Sequence, residues 1–229
     1  MLFRRIQLWL GFFTRITYPR DLPLVMAAFQ HRRTFSMPLD AWQKIDRLGG
    51  YLSLKEAGLL YWGASQHPIA GPIIELGSYE GRSTAVLALA GRPVHAVDAW
   101  SLEVADIGAY HQGAIPATDV FKRFQDNLRA LQIEHLVTIN QGTTRQIGER
   151  WTQQAAVLFI DAGHHYEEVK SDLEIWTPHL HPQGLLMMHD VIGDSHLGVT
   201  RAASELLRNG WQVVASAGSI VAFTRKSEN

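Results

Sequence analysis

The sequence predicts a doubly wound α/β domain: a seven-stranded, mostly parallel sheet with a terminal antiparallel hairpin and a helical N-terminal extension. Two observations predict it. Short apolar runs at Ile73–Leu76, Val94–Val97, Leu136–Ile139, Ala156–Ile160 and Leu185–Met188 alternate with helical stretches near 82–90, 118–131, 144–152, 166–180 and 198–209. Such β-branched or apolar runs separated by amphipathic helices mark βαβ units, with a parallel sheet covered on both faces. The alternation then stops: Trp211–Ala215 and Ser219–Thr224 read as two strands joined by Ser216-Ala217-Gly218.

The elements before the sheet are helical. Residues 1–35 carry Arg4, Arg5, Arg15, Arg20, Arg32 and Arg33 against the single acid Asp21. Leu2, Phe3, Ile6, Trp9, Leu10, Phe13 and Ile16 recur there at helical spacing. The apolar stretch is too short to span a bilayer, and no small-residue cleavage site follows it. Two readings stand: a helix docking on its own core or forming a homodimer, and a peripheral membrane anchor to anionic lipid. A second helical pattern runs from about Pro38 to His67. Residues 1–49 are therefore set apart as a basic amphipathic extension, and 50–229 as the ligand-binding domain.

Composition limits the function. Lys plus Arg is 21 and Asp plus Glu is 22, a net charge of −1 that argues against a nucleic-acid partner. The chain has no cysteine, which excludes thiolate nucleophiles and Cys-ligated zinc. A cytoplasmic protein, with peripheral membrane contact as the second option, is the simplest expectation.

In open α/β sheets the ligand sits at the carboxyl ends of the strands. The first strand here runs into Glu75-Leu76-Gly77-Ser78-Tyr79-Glu80-Gly81-Arg82-Ser83. Its G-x-x-x-G spacing, with Tyr79 where close phosphate approach wants glycine, rejects a dinucleotide pyrophosphate. Glu75 and Glu80 suit a positively charged ligand instead, and S-adenosylmethionine, with a sulfonium and an ammonium, is one. Asp98 ends the second strand, 21 residues beyond Gly77, where an acid accepts ribose hydroxyls. Gln141-Gly142-Thr143 ends the third, where an adenine edge would lie.

On these residues the chain resembles the class I S-adenosylmethionine-dependent methyltransferases. The run E-L-G-S-Y-E-G-R-S is similar to the first motif of catechol O-methyltransferase and of the macrocin-type sugar O-methyltransferases, and the likeness extends over about residues 50–225. The resemblance implies a Rossmann-like methyltransferase fold in which Glu75, Gly77, Tyr79 and Ser83 surround the methionine end of the cofactor. It places Asp98 at the ribose, and Ala99 and Thr143 at the adenine. Ser53 and Gly58 match a segment that closes over the cofactor. Ser78, Gly81, Trp100, Gly142 and Asp161 complete the expected cofactor set.

The fourth strand ends in Asp161-Ala162-Gly163-His164-His165 and the fifth in His189-Asp190. Adjacent strand ends bring Asp161, His164, His189 and Asp190 together. Asp161, His189 and Asp190 are the expected metal ligands, by similarity to metal-dependent O-methyltransferases, which place an acid at the first position and an acidic pair at the second. His189 departs from that pattern, and an imidazole ligand moves the expected ion from magnesium towards manganese, iron, cobalt or zinc. The alternative is that His189 only hydrogen-bonds and no metal binds. His164 stands where the catechol enzyme has a catalytic lysine, and Gly163 where macrocin-type enzymes have a second Asp. The proton-accepting role then falls to His164, whose reference pKa of about 6.5 suits it, with Asp161 and Asp190 as the other catalytic residues.

The long 100–118 connection reads either as a lid carrying Tyr110, His111, Gln112 and Gly113 or as an insertion without structure. His165 and His196 are weaker site candidates, and His179 and His181 are expected to cap the end of the preceding helix. The expected activity is methylation of a hydroxyl on a sugar or other small molecule. The alternatives are metal-free methylation of another nucleophile, and a module that binds S-adenosylmethionine without turnover.

Overall fold

The computed structural model describes residues 19–100, 117–193 and 197–227. The helical pattern expected from Leu2 to Ile16, the lid expected at 110–113 and the candidate His196 lie outside the described residues. Seven strands form one sheet: β1 Ile73–Leu76, β2 Val94–Asp98, β3 Val137–Gln141, β4 Ala155–Ile160, β5 Leu180–Met188, β6 Trp211–Ala217 and β7 Ile220–Arg225. Their order is β3-β2-β1-β4-β5-β7-β6. The first five are parallel, β7 runs antiparallel to β5, and β6 antiparallel to β7. Strand order reverses between β1 and β4, so a crevice opens at their carboxyl ends.

Period-two alternation sends neighbouring side chains into two separate cores. Ile73, Val157, Phe159 and Met187 enter one, while Ile74, Leu76, Leu158 and Met188 enter the other. The first core is covered by α2 (Leu39–Ile45), α3 (Leu54–Gln66), α4 (Arg82–Leu89) and α5 (Ala117–Ala130). The second lies under α1 (Leu22–Gln30), α6 (Thr144–Gly148), α7 (Tyr166–Trp176) and α8 (Leu197–Arg208). Both faces are buried, which is why β4 reads as an unbroken apolar run and β1 as one interrupted only by Glu75.

Several boundaries differ from the sequence reading. Helix α6 ends at Gly148, not 152, where the chain packs so closely that an added Cβ would lie 2.4 Å from Ile175. Helix α7 ends at Trp176, before Pro178, and the chain turns through Thr177–His179. Strand β5 begins five residues early, at Leu180, with a register break opposite Ala155/Val157. His181 therefore lies in a strand, and His179 packs against the Trp176 ring 6.1 Å away. The hairpin turn is Gly218-Ser219, with Gly218 at φ 59. Two-residue hairpin loops favour such left-handed residues, so Ser219 moves from strand to turn.

The extension docks on its own fold where it is described. Leu24 and Ala28 of α1 are buried in the second core, and Trp42 and Ile45 of α2 in the first. Ser216 fixes the first contact: its Oγ donates to the Ala28 carbonyl at 2.6 Å, and its N–H to the His31 carbonyl at 3.1 Å. Among the described residues no helix is long and apolar enough to cross a membrane.

Candidate active site

A cavity of about 790 Å³ opens at the carboxyl ends of β1, β2, β4 and β5. Gly77, at φ 85, forms its floor; an added Cβ would lie 2.2 Å from the Asp161 carbonyl oxygen. The β1 loop thus crosses the end of β4 at a distance only glycine permits. Among the described residues four non-glycine residues have positive φ; Tyr79 and Asp190 line the cavity, and Trp100 packs behind it. Left-handed backbone at such residues is uncommon and gathers at functional sites.

Asp98 organises the loop. Its Oδ2 accepts the N–H groups of Ser78 (2.8 Å) and Tyr79 (2.9 Å), and its Oδ1 accepts that of Trp100 (2.7 Å). The carboxylate still lines the cavity, and Oδ1 retains a lone pair for a ligand hydroxyl. The Trp100 indole donates to the Tyr79 carbonyl at 2.8 Å and packs on Phe121 and Phe124.

Of the cofactor residues expected from sequence, Gly77, Ser78, Tyr79, Ser83, Asp98, Ala99, Thr143 and Asp161 line the cavity. Ser53, Glu75, Gly81, Trp100 and Gly142 do not; they build the wall behind it. Glu75 is fully buried, and its carboxylate accepts the hydroxyls of Ser78 at 2.8 Å and of Thr84. Burial pushes its pKa up to about 7 against the pull of hydroxyl donors from Ser83, Thr84 and Ser78. Gly81, at φ 90, caps α4 against Phe124. The Gly142 N–H donates to the Asp98 carbonyl at 2.9 Å. Ser53 caps α3 reciprocally with Glu56.

The acid and imidazole cluster forms at the ends of β4 and β5. His189 is 8% exposed; its Nδ1 lies 3.2 Å from Asp161 Oδ1 and 3.2 Å from Asp190 Oδ2, and its Nε2 lies 3.8 Å from Glu56 Oε1. Burial opposes charge on the ring, but the Asp161 and Asp190 carboxylates prevail and push its pKa up to about 11. His164 Nε2 lies 3.3 Å from Asp190 Oδ2, nearer the mouth. Among the described residues, the group whose ligand atoms could close on one cation is Asp161, His164 and Asp190. The expected set had His189 in place of His164; the structure puts His189 beneath the two carboxylates as their cationic partner. At Gly163 an added Cβ would lie 2.8 Å from the Glu168 Cβ, so a side chain there would require the chain to shift.

Glu56, Arg82 and Ser219 are among the cavity residues that the sequence reading did not assign to the site. Arg82 donates to the carbonyls of Asp46, Gly50 (2.9 Å) and Leu52 (3.2 Å), stitching the 46–52 segment over the cavity. Ser53 and Glu56 form a capping box, an S-x-x-E signature readable in sequence, but no local pattern marks the second reach of this carboxylate to the Ser219 turn.

A family model for a methyltransferase domain matches residues 74–191, just over half of the chain. The chain belongs to this methyltransferase family. Solved structures share its fold at low sequence identity. The O-methyltransferase NovP is 14% identical, with TM-score 0.59 over 76% of this chain and 81% of that one. The O-methyltransferase TomG from Streptomyces achromogenes, solved in complex with S-adenosylmethionine, is 16% identical with TM-score 0.58 over 95% of both chains. A methyltransferase from Podospora anserina, bound to S-adenosylhomocysteine, is 12% identical with TM-score 0.60 over 93% of this chain and 98% of that one.

The cavity of this methyltransferase fits S-adenosylmethionine. A floor that only glycine can form brings the ligand against the backbone, and an acid waits at the end of β2. Seven carboxylates line the described cavity: Glu56, Asp98, Asp161, Glu167, Glu168, Asp172 and Asp190. Its two lining arginines are turned to protein partners: Arg82 to main-chain carbonyls, and Arg145 to Glu149 and to Ser171 at 2.8 Å. Such a lining attracts cations and offers phosphate little.

Proposed function

We propose that this methyltransferase transfers the methyl group of S-adenosylmethionine to a hydroxyl of a small molecule without phosphate groups, with His164 as general base. The observation that carries the reading is the His164–Asp190 pair at the cavity mouth. When bound, S-adenosylmethionine supplies an electrophilic methyl on a positively charged sulfur. The Asp98 oxygen and the Gly77–Tyr79 loop orient the nucleoside and methionine ends. Asp190 orients His164, which removes the proton of the acceptor hydroxyl as its oxygen forms the new bond to carbon and sulfur leaves with the old bond's electron pair. Holding acceptor and methyl in line is worth about 7–11 kcal/mol, and a positioned base adds about 10²–10⁴-fold. Tyr51, exposed at the mouth, offers a ring face to a planar phenol or a sugar.

A second reading rests on the ligating geometry of Asp161, His164 and Asp190. These residues would hold a divalent ion, manganese or zinc in preference to magnesium given the imidazole, and the ion would lower the acceptor's pKa.

The experiment is turnover to S-adenosylhomocysteine with a panel of phenol, sugar and amine acceptors, with chelator and with added manganese. The expected result is methylation of a hydroxyl acceptor that survives chelator and falls about 100-fold or more in His164→Ala, with S-adenosylhomocysteine affinity retained. Loss with chelator and recovery with manganese selects the metal reading. Turnover of amines alone overturns both.

A further inference from the structure

The capping box at Ser53 uses one carboxylate oxygen of Glu56 and leaves the other for a second partner. Oε2 accepts the Ser53 N–H at 2.9 Å and the Ser53 hydroxyl at 2.6 Å, which completes the cap of α3. Oε1 is turned the other way. It accepts the Ser219 N–H at 2.8 Å and the Ser219 hydroxyl at 2.9 Å, and it faces His189 Nε2 at 3.8 Å. Cap carboxylates ordinarily sit at the surface, whereas Glu56 is 7% exposed and lines the cavity. Burying a charge this deeply is costly unless every lone pair is used, and here each oxygen has two donors.

Ser219 passes the contact on. Its hydroxyl, having donated to Glu56, accepts the Asp190 N–H at 3.3 Å, while its carbonyl accepts the N–H groups of Val191 (3.0 Å) and Ile192 (3.3 Å). Asp190 is the residue held at φ 54 that pairs with His164. Gly218 completes the fit, since an added Cβ there would lie 2.4 Å from Glu56 Oε1. On the other side, Ser53 directly follows Gly49–Leu52, the stretch of the cavity wall that Arg82 ties down.

We propose that Glu56 is a positioning residue that couples the 49–52 wall of the cofactor cavity, through the adjoining Ser53, to the acceptor rim, by holding Ser219 and through it the Asp190 backbone. Cofactor binding against residues 49–52 then tightens Asp190, and acceptor alignment follows cofactor occupancy. The inference rests on cofactor binding in this cavity, not on the acceptor.

The test is amide hydrogen exchange on the full chain with and without S-adenosylhomocysteine, in wild type, Glu56→Gln and Ser219→Ala. In the wild type, the product slows exchange at both 77–83 and 188–192, by about tenfold at the second segment, within the usual range of coupling between sites. In Glu56→Gln the slowing at 77–83 persists and that at 188–192 is lost. Ser219→Ala removes only the hydroxyl, gives the same pattern more weakly, and carries the test alone if Glu56→Gln fails to fold. Once an acceptor is known, the same variants lower kcat by up to about 100-fold through misalignment, while the KM for S-adenosylmethionine holds. Protection at 188–192 that is unchanged in both variants, or absent in the wild type, overturns the proposal. Failure of every acceptor in the panel would count against hydroxyl methylation and leave this exchange result intact.

Discussion

Glu75 illustrates how a single side chain can be read correctly as important and wrongly as exposed. At the tip of a strand facing a cationic ligand, its charge suggested contact with the cofactor. Instead it lies beneath the loop, fully buried. Burial raises its pKa to about 7 from 4.5, so between those values the folded state holds a proton that the unfolded state has released. Stability from this group is therefore complete below pH 4.5 and is lost as pH rises to about 7, by about 3 kcal/mol. Glu75→Gln, which cannot ionise, should flatten that slope; urea unfolding at pH 5 and pH 8 measures it, and an equal slope in both proteins would refute the assignment. Asp98 shows the converse. Its position in sequence pointed to a ribose, yet three of its lone pairs go to backbone N–H groups. Removing it would loosen the loop as well as the ligand.

Among the elements, the β1–α4 loop was the most legible, because its glycines serve backbone geometry that sequence spacing reports directly. Gly77 and Gly91 provide a matched pair: both have left-handed φ, 85 and 90, but only Gly77 has a neighbour in the way. Gly91→Ala should cost only the backbone strain, about 1–2 kcal/mol. Gly77→Ala adds a collision with the Asp161 backbone, and should weaken S-adenosylhomocysteine binding by about 100-fold through displacement of the loop. Calorimetric titration of both variants distinguishes them, and equal affinities would show that the close approach is immaterial. The hairpin was less legible. Strand periodicity predicts two strands near the C-terminus, but whether Ser219 belongs to strand or turn depends on a register set by pairing with β5.

For the whole molecule, the two cores explain why the described part of the N-terminal extension is integral to the fold. Helix α1 packs against the edge strand β6, and Leu24, fully buried, fills the second core beside α8. Leu24→Ala should therefore lower unfolding free energy by about 2–5 kcal/mol and leave S-adenosylhomocysteine affinity unchanged, because the cavity lies at the strand ends. A loss below about 0.5 kcal/mol, the scale of surface substitutions, would mean that α1 does not support the core.

The sequence by itself determined the βαβ order, the terminal hairpin, the Gly77 loop and the set of acids and histidines at the strand tips. Those features are local: period-two and helical patterning, and glycines where the chain must turn, are written residue by residue. Only the tertiary structure decided that His189 sits below Asp161 and Asp190 while His164 joins them at the mouth, that Glu75 faces inward, and that Glu56 meets Ser219 across 163 residues of chain. Which of two neighbouring imidazoles reaches a cavity, and which carboxylate is buried, depends on strand register and on the packing of distant segments. No local pattern records either.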